Sequence, residues 1–207
     1  MVQNILHIDS SPLGEQSISR KWTAKCVNAL QEKYPSAKVV VYDFGVNPLP
    51  HLSAEALHAA FTPEAQRSPE QKSTLTHVDE MVNTFLAADL IVIGAPMWNL
   101  NIPSSLKAWI DHIVQAGKTF KYTEQGAIGL VDPAKKIIVV SSRGGVYTEG
   151  PTVGYDFQEP YLKAIFGFLG IQEIHIIRAE GVARGEAALA KATEEAAAQL
   201  DQVIGLV

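Results

Sequence analysis

Five short apolar runs limit what this chain can fold into. They lie at residues 5–8, 39–42, 90–93, 137–140 and 174–177, and most of their side chains are β-branched or aliphatic. None shows the clean polar–apolar alternation of a strand with one wet face. Such runs read as strands buried on both faces, which means a parallel sheet. Between them lie longer segments of helical periodicity, at about 18–34, 69–87, 104–116, 156–169 and 186–204. In the third, Leu106, Trp109, Ile110, Ile113 and Val114 share one face. The alternation predicts a right-handed βαβ series: an α/β, doubly wound five-stranded parallel sheet with helices on both faces. Local punctuation agrees. Pro35 follows the first helix, Pro103 suits a first helical turn, and Gly170 precedes the fifth strand. Helical residues at about 53–60 read as an insertion between the second and third strands.

No composition break marks a linker, so residues 1–207 read as a single domain. A chain of this length buries roughly 70% of its unfolded surface and needs no disulfide or metal staple. The single cysteine, Cys26, excludes an internal disulfide and a Cys-built zinc site, and beside Val27 and Leu30 it reads as a packed small hydrophobe. His51 and His58 do not have a metal spacing, and no metal is expected. With 17 basic against 22 acidic residues the net charge is −5, which argues against nucleic acid as a partner. Phosphate neutralisation needs clustered Lys and Arg. The start MVQNILHIDSS has neither a basic region nor a long apolar run. No stretch approaches the ~20 apolar residues of a membrane span, so no membrane partner and a cytoplasmic location are expected.

In an open doubly wound sheet, ligands bind beyond the carboxyl ends of the strands. The first loop there, 10–19 (SSPLGEQSIS), is rich in hydroxyls. It lacks G-x-x-x-x-G-K-[ST] and G-x-G-x-x-G, so neither a nucleoside triphosphate nor a dinucleotide fingerprint is present. A helix N-terminus with Ser17 and Ser19 can hold one monophosphate, with Arg20 as a candidate helper. The plainer reading is a Ser N-cap. The second loop, 96–103 (PMWNLNIP), is apolar and aromatic where connectors normally face water. Either it walls a flat aromatic ligand, or Trp98 and Leu100 fold back into the core. The third, 141–147 (SSRGGVY), has adjacent glycines. They let backbone N–H groups approach a ligand closely, or they make a flexible turn. Together the three describe a phosphate pocket, an aromatic wall and an N–H cradle. That is the outline of a mononucleotide with a large flat ring, and flavin mononucleotide (FMN) fits best.

The stretches SSPLGEQSIS, APMWNLNIPSSLKAWID, GKTFKYTEQG, SSRGGVYTEGP and FGFLGIQEI leading to AEGVARG resemble the FMN-dependent NADH-azoreductase family, which has a flavodoxin-like fold. They span residues 10 to 185, and the PM-aromatic-N-x-N-I-P and SRGG signatures are distinctive. The resemblance implies that Ser11, Ser17, Ile18 and Ser19 hold the FMN phosphate. It implies that Met97, Trp98, Asn99 and Leu100 line the isoalloxazine ring, and that Ser142, Arg143, Gly144 and Gly145 sit against its pyrimidine edge. Ser10 and Ser141 flank these positions. It further implies a homodimer with both sites at the interface, and Phe120 and Tyr122 as covers for the flavin, from the same chain or its partner. At the position of Phe61 some relatives carry an arginine that meets the nicotinamide nucleotide. A phenyl ring cannot pair with a phosphate. The hydride donor is therefore NADH or NADPH, and Phe61 is a candidate contact for aromatic substrate.

The implied activity is hydride transfer from NADH (or NADPH) to FMN, followed by reduction of azo compounds to amines and of quinones to hydroquinones. One slot used in turn by donor and acceptor predicts ping-pong kinetics. The cofactor carries the hydride, so no side chain is required as nucleophile, in keeping with the lack of G-x-S-x-G, H-E-x-x-H or triad spacing. A general quinone or nitroaromatic reductase with incidental azo activity needs the same slot. A flavodoxin-type electron carrier would be smaller and more acidic. A hydrolase lacks its nucleophile elbow and metal ligands. A receiver-type module would need an acidic cluster and a Lys around Asp9 and Asp43 that are not evident. Aromatic residues at 157–169 serve either core or dimer interface, as does Trp109.

Overall fold

The computed structural model describes residues 2–207. The strands are β1 (Asn4–Asp9), β2 (Lys38–Asp43), β3 (Leu90–Pro96), β4 (Phe120–Thr123), β5 (Gly126–Gly129), β6 (Lys136–Arg143) and β7 (Glu173–Glu180). The helices are α1 (Ile18–Lys33), α2 (Ala54–Phe61), α3 (Pro69–Ala87), α4 (Ser104–Ile113), α5 (Glu159–Phe168) and α6 (Glu186–Leu206). Five strands pair in parallel in the order β2-β1-β3-β6-β7, and β4 with β5 forms a separate antiparallel hairpin. Each expected run lies inside one strand of the main sheet. Strand order reverses beside β1, where a doubly wound sheet opens its crevice.

The sheet divides the core into two layers. On one face Trp22, Cys26 and Leu30 of α1 pack with Ala196, Leu200 and Val203 of α6. On the other, Phe44, Phe85 of α3 and Phe166 of α5 meet around Trp109 of α4. Trp109 is thus core, and fully buried. The central strands β1, β3 and β6 are buried on both faces, as their composition requires. The edge strand β2 is not: Val40 and Val41 stand exposed, because an edge strand has a neighbour on one side only.

Side-chain chemistry sets the helix ends. Ser68 and Gln71 form a reciprocal capping box, and Pro69 occupies the first position of α3. Helix α4 stops at Ile113, three residues short of the expected end, because the Thr119 hydroxyl takes the Ile113 carbonyl at 2.8 Å and accepts Gln115 N–H at 2.9 Å. Helix α5 starts at Glu159 rather than at 156, since Asp156 Oδ1 accepts the N–H groups of Gln158 and Glu159 at 3.0 and 3.2 Å. The β4–β5 hairpin has no counterpart among the expected elements.

Candidate active site

The loop after β1 is braced before it reaches α1. Ser10 Oγ donates to Gly94 O at 2.6 Å, and Ser105 Oγ donates to Ser10 O at 3.1 Å. Gly45 presses on the same loop so closely that a Cβ there would overlap the Ser11 carbonyl. Ser17 is the N-cap of α1, its hydroxyl accepting Arg20 N–H at 3.2 Å and lying 3.0 Å from Ser19 Oγ. The Ile18 and Ser19 N–H groups donate to no acceptor among the described residues. Cap and anion-type helix end therefore coexist: the Ser17 oxygen serves the helix while the leading N–H groups stay open. Arg20 is not free to help. Its Nη2 lies 2.7 Å from Asp43 Oδ1 and its Nη1 3.4 Å from Asp9 Oδ2. That contact lowers the Asp43 pKa below the usual carboxylate range and raises that of Arg20.

The loop after β3 is strained. Trp98 and Asn101 exchange both backbone hydrogen bonds, at 2.8 and 3.0 Å, around a tight turn. Its two central residues, Asn99 and Leu100, have φ of 48° and 71°. The left-handed region is tolerable for Asn and costly for Leu. Trp98 is 42% exposed, so it does not fold back; Ile102 takes the core position. A strained turn that presents an exposed indole beyond a buried strand is the geometry of a ligand wall.

The loop after β6 has a clear polarity. The carbonyls of Arg143, Gly144 and Gly145 accept from Val182, Ala183 and Gly181, at 3.1, 3.2 and 2.9 Å. The N–H groups of Gly144, Gly145 and Val146 donate to no acceptor among the described residues. Arg143 lines the pocket through its backbone. Its side chain is fully buried among carboxylates, which leaves the backbone as its free hydrogen-bonding part. Its guanidinium pairs with Asp156 at 3.0 Å, with Glu159, and with Glu180 at 3.4 Å. Strand alternation explains this: Ser141 and Arg143 share one face of β6, and Ser142 faces the other. Glu180 in turn accepts N–H from Tyr147 and Thr148, which fixes the loop from below.

Residues of all three loops meet in one pocket of about 160 Å³. It is lined by Ser11, Ser17, Ile18, Met97, Trp98, Ser142, Arg143 and Gly144 of the expected set, with Leu13, Gln16, Pro96 and Val182 added. Val182 comes from the turn after β7, within the AEGVARG stretch, for which the sequence predicts no ligand role. Trp98 and Asn99 also border an open cleft of about 710 Å³ with Phe44, Ile102, Lys107 and Tyr161. Ser19, Leu100 and Gly145 line neither space. Phe61, Phe120 and Tyr122 come together elsewhere, in a pocket of about 140 Å³ that shares no residue with the first. Phe120 there is buried against Phe168 and Tyr122. The donors of the first pocket suit a phosphate at one end and a flat ring with a polar edge at the other.

Comparison with known proteins identifies relatives that share this fold. A family model described as "Flavodoxin-like fold" matches residues 3–204. An FMN-dependent NADH:quinone oxidoreductase from Nostoc sp. is 45% identical over 97% of this chain and 98% of that one. One of the same name from Ralstonia nicotianae is 46% identical over 97% of this chain and 96% of its own. Among solved structures, an azoreductase from Bacillus anthracis superposes with a TM-score of 0.86 at 31% identity, covering 100% of this chain and 98% of that one. An FMN-dependent NADH-azoreductase from the same species, solved in complex with FMN, superposes with a TM-score of 0.86 at 28% identity, covering 98% and 99%. The chain belongs to this flavodoxin-like family.

Proposed function

We propose that this protein is an FMN-dependent oxidoreductase that takes hydride from NADH and reduces quinones and azo compounds. The observation that carries the reading is the convergence of three loops in one pocket, in a chain 45% identical to an FMN-dependent NADH:quinone oxidoreductase. Ser11, Ser17 and Ser19, with the open N–H groups of Ile18 and Ser19, hold the phosphate. Met97 and Trp98 would form the wall beside the ring, with Asn99 and Leu100 as the turn that presents it. Ser142 and the N–H groups of Gly144 and Gly145 face its polar edge as fixed donors, and Arg143 contributes backbone only. Bound FMN supplies the hydride chemistry; the chain orients it and keeps its edge hydrogen-bonded. Nicotinamide and acceptor use one slot in turn, which makes the kinetics ping-pong. Phe61 and Tyr122, both exposed, reach the slot from a second copy of the chain in a homodimer, and Phe120, buried against Tyr122, supports that cover from behind. No helix among the described residues is long and apolar enough to cross a membrane. A cytoplasmic location, where NADH is at hand, belongs to the same reading.

The test begins with the absorption spectrum of the purified protein. Flavin bands, bleached by NADH without oxygen and restored by a quinone or an azo dye, are expected. Protein that neither contains nor takes up FMN refutes the reading. Double-reciprocal plots at several acceptor concentrations give parallel lines for a shared slot, and intersecting lines refute that part alone.

A further inference from the structure

Gln158 lies in the turn that leads into α5, and its side chain is fully buried. Its Nε2 donates to Ala95 O at 2.6 Å. Its Oε1 accepts from Ser141 Oγ at 3.0 Å and from Arg143 Nε at 2.9 Å. Ala95 and Ser141 are register partners across β3 and β6. One carboxamide therefore ties the two central strands together just before each runs out into a loop that faces the pocket. Its neighbours hold the same two loops. Asp156 pairs with Arg143 at 3.0 Å, and Phe157 N–H donates to the carbonyl of the strained Leu100 at 3.1 Å. Glu159 pairs with Arg143 and, at 2.7 Å, with Arg178.

We propose that Gln158 is a positioning residue for the reaction. Its amide sets the spacing of the aromatic wall (96–101) against the N–H cradle (144–146), and so the placement of the groups that face the ring. This inference rests on the FMN reading above. The residue type is specific to the task, because only a carboxamide presents donor and acceptor at one end of a side chain of this length. An ionised Glu, which the adjacent Arg143 guanidinium favours, offers acceptors only and would face Ala95 O with another oxygen. The loop it steadies needs such support, since two consecutive residues at positive φ persist only where their surroundings over-determine them. A fully satisfied buried polar network is also what rigidifies a site.

The test compares wild-type holoenzyme with Gln158→Glu. Three quantities are read: the single-turnover rate constant for reduction of bound FMN by NADH, the Kd for FMN, and the Tm of protein stripped of FMN. The expected result is a reduction rate lower by on the order of tenfold per bound FMN, and an FMN Kd higher by about the same factor. A purely structural residue would lower Tm and leave both values as in the wild type, which overturns the proposal. If Gln158→Glu does not fold, Ser141→Ala carries the same test, since it removes one of the two donors to Oε1. Roughly two- to threefold changes are then expected, and wild-type values overturn the proposal. The two readings fail differently. Wild-type protein without FMN, or not reduced by NADH, removes the functional reading, whereas an active wild type with unaltered variants removes only the role of Gln158.

Discussion

Arg143 separates what a motif reveals from what a side chain does. The SRGG signature places it at the ring edge, yet its guanidinium lies under the loop among Asp156, Glu159 and Glu180. The direction was legible in principle, because period-2 alternation puts Ser141 and Arg143 on one face and Ser142 on the other. The partners were not legible, since they come from the turn before α5, the first residue of α5 and the end of β7. Removing one member of such a buried cluster strands the others. Arg143→Met should lower stability by about 3–5 kcal/mol, read from the urea midpoint of the protein. A change under 1 kcal/mol would show that the carboxylates find water or other donors. Arg20 gives a second residue-scale expectation. Its contact holds the Asp43 pKa below the usual range, so the folded state takes up that proton less readily than the unfolded one. The contribution is complete above the unfolded carboxyl pKa of ~4 and is lost as pH falls through the lower folded value. Arg20→Met should therefore destabilise the protein most near neutral pH, and the gap to wild type should close toward pH ~3. Urea midpoints for both proteins at the two pH values decide this, and a gap independent of pH would remove the electrostatic account.

The central strands of the main sheet were legible because burial on both faces leaves a compositional mark that needs no knowledge of neighbours, and the edge strands β2 and β7 carry the same β-branched composition although they are not buried on both faces. The β4–β5 hairpin was not. Its strands are four residues each, and its turn, Glu124–Gln125, lacks the Asn-Gly or Asp-Gly signal that marks a tight hairpin. Helix ends moved for a similar reason: Thr119 and Asp156 end and begin helices through hydrogen bonds that periodicity does not report. The start of α1 is the element on which two readings met, cap and phosphate site, and the structure accommodates both. They separate by substitution. Ser17→Ala removes the cap and should cost about 1 kcal/mol of stability together with FMN affinity. Ser17→Asp restores a cap acceptor and favours the helix dipole, so stability should recover. It also places a carboxylate where the phosphate is held, so affinity should fall further. Thermal melts of FMN-free protein and FMN titrations read the two effects independently. If Ser17→Asp binds FMN as well as wild type, Ser17 is a cap and nothing more.

At the scale of the molecule, the residues assigned to substrate do not reach the cofactor pocket of their own chain. Phe61 and Tyr122 are 75% and 76% exposed, and the pocket they line with Phe120 shares no residue with the pocket of the three loops. Large aromatic side chains left this open are unusual on a monomer and common where a second surface arrives. If they cover the slot of a partner copy, each site takes its cofactor from one chain and its cover from the other. Subunit mixing tests that geometry directly. One variant, Gly144→Val with Gly145→Val, is impaired in its cofactor loop; another, Phe61→Ala with Tyr122→Ala, is impaired in its cover. Each alone is expected to be nearly inactive toward a quinone. Mixed in equal amounts and reassociated, about half of the dimers pair one of each. In such a dimer one site inherits both defects, and the other is built wholly from intact parts. Activity should therefore return to roughly a quarter of the wild-type value. Sites built within one chain give no intact combination, so no recovery in a mixture shown to exchange subunits would mean that each site draws its cover from its own chain, whereas a Phe61→Ala, Tyr122→Ala variant as active as wild type would place both residues outside the reaction.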